Sequence, residues 1–283
     1  MGVVRVVTDS SCDLPAREVQ EHGITVVPLT IRFGEDEFVD GRDLTPAQFW
    51  ARCATSSVLP STAAPAPGAF EEAFRAAGAA GADGVVCINL SSLLSATIQA
   101  AEAAARAVAG EVTVQVVDSN WVTMGLGTIV LEAARRAEAG ASVDEVAKVA
   151  QDLARRTRVH GALDTLENLK KGGRIGKAQA LLGSILSVKP VIEVRNGEVE
   201  PGPKVRTRGR ALQYLVDRVV AEAAVENLAV MHGDAPDVDQ LLKLLAPHYP
   251  LDRIVVGDLG AVVGSHAGPR TIGVAFQVPD AGP

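Results

Sequence analysis

The chain has 283 residues, 47% of them hydrophobic, with three cysteines, a formal net charge of −7 and a pI near 5.3. That length carries one large domain or two small ones, and mild acidity without a Lys/Arg block argues against a nucleic-acid partner. Cys12, Cys53 and Cys87 are far apart and show no C-x-x-C pairing, so neither a disulfide framework nor a zinc site is expected, and a reducing cytoplasm fits.

The N-terminus enters strand-like sequence at once in VVRVVTD, with no signal peptide in view. Asp13, Pro15 and Gly23 then read as the cap, early proline and terminal glycine of a helix, AREVQEHG. GITVVPLTIRF and EFVD flank Gly34 as a hairpin. Thr45 and Pro46 begin a helix that runs through Cys53. A loop rich in Pro, Ser and Ala, residues 56–67, leads into the helix GAFEEAFRAAGAAG. Strand DGVVCIN, helix LSATIQAAEAAARAVAG, strand VTVQVVD and helix WVTMGLGTIVLEAARRAEAG follow. This rhythm predicts an α/β fold whose mainly parallel sheet is covered by helices on both faces. The longest uncharged run, residues 84–101, contains Asn89, Thr97 and Gln99, so it reads as a strand and a capped helix and not as a membrane span.

From Ser142 the rhythm changes. Ser142 opens a helix, VDEVAKVAQDLARRT, that bridges to a second α/β region. There follow an amphipathic segment (LENLKKGGRIGKAQALLGSIL), a hairpin turning at Asn196-Gly197 and a basic stretch, KVRTRGRAL. Helix ALQYLVDRVVAEAA, strand NLAVMHG, helix VDQLLKLLAP and strands RIVVGDLG and TIGVAFQV complete the chain. The expected division is an N-terminal domain, residues 1–155, and a C-terminal one, residues 156–283.

LSSLLSATIQAA, residues 90–101, places Ser91, Ser92, Ser95 and Thr97 at the mouth of a helix. One hydroxyl would serve as an N-cap; several, with free N–H groups and the positive end of the helix dipole, make an anion-binding corner. TDSSCDLP, PSTAAPAPGAF, VDSNWVTMGLG and VVGSHAGPRTIGV share its character, and in an open α/β sheet the loops at the strands' carboxyl ends converge on one crevice. The plainer reading of TDSS and of Asp118-Ser119 is a capped turn. His266, between two glycines in GSHAG after an apparent strand, has no packing face to join; its plainer reading is a surface-loop histidine. His22, His160, His232 and His248 lack this setting. No G-x-S-x-G, G-x-x-x-x-G-K-[ST] or early G-x-G-x-x-G occurs, and no metal cluster is visible, so machinery for bond-making is missing.

TDSSCDLP, LSSLLSATIQAA, DSNWVTMGLG, TLENLKKGGRIGKAQALLG, KPVIEVRNGEV, KVRTRGRAL and VVGSHAGPRTIGV, in that order and across essentially the whole chain, resemble the successive signatures of the DegV family. The resemblance implies a two-domain α/β protein that encloses one long-chain fatty acid between its domains. In bacteria with a fatty acid kinase, such a protein presents the lipid's carboxylate for phosphorylation. It implies no catalytic residue, metal or cofactor, only the fatty acid as ligand, and the kinase's ATP-binding subunit as partner. A cytoplasmic protein without stable membrane insertion, touching membranes transiently, fits that role.

The family's head-group site carries over onto Thr62 of PSTAAPA, Ser95 of LLSAT and His266 of GSHAG. Two departures stand out. Where the family reads T-S-Q-P-S this chain has Thr62-Ala63-Ala64-Pro65-Ala66, and where it reads Ser-Gly-Thr this chain has Ser95-Ala96-Thr97. A palmitate-like tail of about fourteen methylenes, at roughly 0.8 kcal/mol each, would supply on the order of ten kcal/mol before binding costs. A head group adds about one or two. Residues 163–169 and 178–186 are candidate walls, with ordinary core as the alternative for any one of them. Lys204, Arg206, Arg208 and Arg210 alternate and, if extended, project one way; with Arg174 of GGRIG they form a candidate patch for phosphate or a partner, against the alternative of a solvated basic strand. Two other functions fit the same residues: a stand-alone lipid sensor, and a hydrolase or phosphotransferase using His266.

Overall fold

The computed structural model describes residues 2–187 and 189–279, with residues 183–187 described by their backbone only. Strands β1 (Val4–Asp9) and β2 (Thr25–Val27) enclose helix α1 (Ala16–Glu21) in the sequence. Pro28 then breaks the run. GITVVPLTIRF is therefore two strands in two sheets, with β3 (Thr30–Phe33) and β4 (Asp36–Val39) forming the hairpin at Gly34. Helix α2 (Pro46–Thr55) starts on a reciprocal capping box between Thr45 and Gln48. The loop expected at residues 56–67 contains a strand, β5 (Ser61–Ala63), because its backbone pairs antiparallel with β3. Then come α3 (Pro67–Ala79), β6 (Gly84–Asn89), α4 (Thr97–Ala107), β7 (Val114–Asp118), α5 (Met124–Glu138) and α6 (Val143–Arg156), the last opened by a Ser142/Glu145 capping box.

β2-β1-β6-β7 form a fully parallel sheet in that spatial order. On one face Phe70 and Phe74 of α3 and Ala101 and Ala104 of α4 pack on Val7, Val85 and Cys87. On the other, α5 and α6 cover Val4, Val6, Val86 and Ile88. Helices on both faces are what near-continuous apolar strands require. Phe70 and Phe74 are fully buried, so truncating either to Ala would cost about 3–5 kcal/mol.

The second sheet is built from β8 (Thr157–Ala162), β9 (Val191–Arg195), β10 (Glu198–Pro201), β11 (Glu226–His232), β12 (Val255–Asp258) and β13 (Ile272–Gln277), in the order β10-β9-β8-β13-β11-β12. Its pairs are antiparallel except β11 with β12. Helix α7 (Glu167–Lys171) follows β8; α8 (Arg208–Val220) and α9 (Val238–Leu245) cover one face, through Leu212, Leu215, Val219 and Leu241. The opposite face, with Val159, Ala229, Met231 and Ala275, turns toward α5. The first eight residues of that helix, 124–131, are buried all round because they lie between the two sheets. Its glycines allow the approach: a Cβ at Gly125 would sit 2.4 Å from Val159 Cγ2, and one at Gly127 would sit 2.5 Å from the Cys12 carbonyl oxygen.

Two further local readings are corrected. Asp13 does not cap α1, whose N-cap is Pro15 without a side-chain bond; Asp13 sits in the left-handed region (φ 52°) and serves a distant helix instead. VVGSHA is not strand and loop but the helix α10 (Ala261–Ala267).

Candidate functional site

One cavity, a channel open in part to solvent, lies between the two sheets, with about 1080 Å³ of space among its lining atoms. Its wall is mostly Leu, Val, Ile, Met, Ala and Gly; Thr62, Ser95, Thr123, Arg174, His266 and Thr271 are the polar exceptions.

Thr62, Ser95 and His266 thus share one cavity although 204 residues separate the first from the last. Each arrives on a different element. Thr62 is carried by β5, opposite Ile31 of β3. Ser95 sits in the turn before α4, where its Oγ lies 2.9 Å from Thr97 Oγ1 and accepts from the Thr97 N–H. His266 occupies the last turn of α10, and its Nε2 is 3.0 Å from Thr62 Oγ1. Its Nδ1 is buried with no hydrogen-bond partner and faces Gly172, where an added Cβ would lie 2.3 Å from it. Burial first, and then the nearby Arg174 guanidinium, push the imidazole down to about 4, so it is neutral at pH 7. A neutral ring beside a threonine hydroxyl can donate or accept one hydrogen bond without placing a fixed charge in an apolar channel.

Arg174 supplies that charge at the exposed edge. Its Nε donates to the Leu94 carbonyl and its Nη1 to that of Gly172, which ties the segment after α7 to the loop holding Ser95. Helix α10 is fixed from two sides. Asn168 of α7 donates to the Ser265 carbonyl at 3.2 Å, and the Gly260 N–H donates to Asp13 Oδ1 at 3.0 Å. Burial raises Asp13 well above the usual carboxylate range, offset in part by that backbone bond.

The hydroxyl-rich corner is smaller than its sequence implies. Ser91 is buried and donates to the Gly197 carbonyl, and the Ser92 backbone is held by Asp118. Of the four hydroxyl residues, only Ser95 lines the cavity. TDSSCDLP does not reach it either: Asp9 accepts from the Ser11 N–H as a turn cap, and Cys12 and Asp13 border a separate open cleft. Ala64 and Ala96, where the chain departs from the family's polar or smaller residues, do line the wall. Of the candidate wall segments, Leu163 and Leu169 line the cavity; Ala178, Leu181 and Leu182 pack in the cluster behind them. The side chains of residues 183–186 lie outside those described. Sequence reasoning missed Val159, Gly161, Ile192 and Val194, whose two-residue alternation in RVHGAL and VIEV marks them as one face of paired strands.

The basic stretch is not an extended row. Thr207 caps α8, so Arg208 and Arg210 are helical. Arg208 makes a bidentate pair with Asp237 at 2.7 and 2.9 Å, both side chains 16% exposed. That pair occupies its fork and removes it from a phosphate or partner patch. Arg206 is exposed.

An α/β protein with a buried, largely apolar channel and a small polar end is the class that fold and cavity define. The model for the DegV family, described as "Uncharacterised protein, DegV family", matches residues 3–278, and the chain belongs to that family. A DegV domain-containing protein of Streptomyces coelicolor is 41% identical over 278 residues, covering 97% of this chain and 98% of the relative. A DegV-family protein from Thermus thermophilus, described for its fatty-acid binding, superposes with a TM-score of 0.90 at 33% identity, covering 98% of this chain and 99% of that one. DegV of Bacillus subtilis, described as a fatty acid binding protein, gives 0.86 at 28% identity, covering 98% and 100%. Among the described residues no helix is long and apolar enough to cross a membrane.

Proposed function

We propose that this protein binds one long-chain fatty acid in the channel, between domains 1–155 and 156–283, and presents its carboxylate to a partner kinase for acyl-phosphate formation. The observation that carries this reading is that Thr62, Ser95 and His266, brought from three separate elements, line one largely apolar cavity, with Thr62 and His266 in hydrogen-bond contact. The fatty-acid binding described for the Thermus thermophilus and Bacillus subtilis proteins supports it. Tail burial sets affinity, and the polar group sets direction. Thr62 and Ser95 donate to the carboxylate, and neutral His266, giving its Nε2–H to Thr62 Oγ1, aims the threonine hydroxyl at the head group. Arg174 and Arg206 are the cations that would meet an acyl phosphate or a kinase surface; Arg208 is occupied elsewhere. The protein itself makes no bond in this scheme and needs no metal or cofactor.

Native mass spectrometry of protein purified from a bacterial host tests it. One acyl chain per molecule is expected, together with ATP-dependent acyl-phosphate formation when a fatty acid kinase is added. Ester hydrolysis by the isolated protein, lost in His266→Ala, would replace the carrier with an enzyme.

A further inference from the structure

Val159 of β8 and Val194 of β9 are direct cross-strand partners, and both line the channel. The same two residues also line a second, polar cleft, bordered by Asp118, Arg155, Arg158 and Arg195. Among the described residues they are the only ones the two spaces share. The valine pair thus stands where an apolar channel borders a charged, open cleft.

Where this pair sits along the channel follows from the strands. Leu163, Gly161 and Val159 succeed one another on the channel wall, so Val159 lies about 13 Å beyond Leu163 at ordinary strand rise. The polar group is at the other end. Leu163 packs in the same cluster as Leu94 and Leu169, Arg174 is bonded to the Leu94 carbonyl, and His266 lies against Gly172. Val159 has no slack toward α5, where a Cβ added at Gly125 would lie 2.4 Å from its Cγ2.

Resting on the carrier reading above, we propose that the Val159–Val194 pair is the end stop of the channel and sets the longest acyl chain the protein accepts. A chain with carbons to spare would have to drive its methyl end between two valines into a cleft lined by guanidinium and carboxylate groups, where apolar burial gains nothing.

The test loads lipid-stripped protein with an equimolar series of saturated straight-chain fatty acids stepping by two carbons and reads the bound profile by native mass spectrometry. Val159→Ala and Val194→Ala each remove two methyl groups. Either should raise the bound ratio of the acid two carbons longer than the wild-type optimum to that optimum by roughly tenfold, the equivalent of two newly accommodated methylenes. Gly125→Ala pushes Val159 into the channel and should shift the profile to shorter chains. If either alanine variant binds one lipid per molecule with the wild-type profile, the end stop is wrong and the carrier reading stands. If wild-type protein takes up none of the acids, both fall.

Discussion

Gly172→Ala isolates the orientation of His266 from everything else in the channel. Gly172 has helical backbone angles (φ −75°, ψ −7°), so alanine fits its conformation and, through the unfolded chain, even stabilises by about 0.4–1 kcal/mol. The new methyl, however, would lie 2.3 Å from His266 Nδ1 and 2.9 Å from Cε1. Restoring van der Waals contact moves the ring by roughly 1 Å, and its 3.0 Å bond to Thr62 Oγ1 does not survive a shift of that size toward poorer geometry. One hydrogen bond is worth about 0.5–1.5 kcal/mol, or roughly two- to twelvefold in an equilibrium constant. The assay compares displacement constants for a fatty acid and its methyl ester. Wild-type protein should prefer the acid; the variant should lose that preference by the stated factor, with ester affinity and thermal midpoint nearly unchanged. A variant that keeps the wild-type acid-over-ester ratio refutes the role given to the His266–Thr62 contact.

Ser95→Ala and Thr62→Ala should leave the fold intact and reduce kinase-dependent acyl phosphorylation more than lipid retention; equal losses in the two assays would show that the hydroxyls hold the lipid and do not merely aim it. Arg208→Ala should lower stability by about 2–4 kcal/mol in chemical denaturation because it strands a partly buried Asp237, whereas Arg206→Ala should leave the midpoint untouched and weaken only coupling to the kinase. His160, buried and near Arg218, Arg158 and Arg195, is held down to about 4. Its unfolded form takes up a proton near pH 6.5 while the folded form does not, so stability falls as pH drops from 6.5 toward 4, by about 3 kcal/mol in all for this one group. His266 acts in the same sense. Asp40, pushed up to about 6 by burial, and Asp13, which burial also raises, oppose both, since their contributions are present at low pH and lost as pH rises. Compared with wild type in urea titrations, His160→Phe should therefore remove a loss of stability that grows as pH falls from 6.5 toward 4; a difference between the two proteins that does not change over that range would mean the imidazole is not the group responsible.

The parallel sheet was readable in β1, β6 and β7, short apolar runs each followed by a helix (α1, α4 and α5); β2 was hidden in a longer run that Pro28 divides between two sheets. Thr62, Ser95 and His266 were legible as a set only through the family signatures, since spacing alone cannot bring residues 62 and 266 together. What escaped depends on distant partners. PSTAAPAP has no strand propensity, and β5 exists because β3 offers it a ladder. AVVGSHA reads as a strand, but packing on α7 and the bond to Asp13 make it a helix; Asp13 itself is 247 residues from the backbone it holds. Arg208 looked free because its carboxylate, Asp237, lies 29 residues ahead. The bare Gly172 is the least legible of all, for its purpose is to leave room for another residue's ring.

The placement of β13 imposes an order on biosynthesis. It follows every other described strand in the chain, yet it lies between β8 and β11 and joins two otherwise separate strand groups. The parallel sheet can assemble during translation from residues 4–118, while β10-β9-β8 and β11-β12 wait with open edges toward the gap. Until residues 272–277 arrive, the nascent chain carries two unpaired ladders able to capture foreign strands. A message truncated just before Ile272 would yield a protein with an aggregation problem in place of its second sheet.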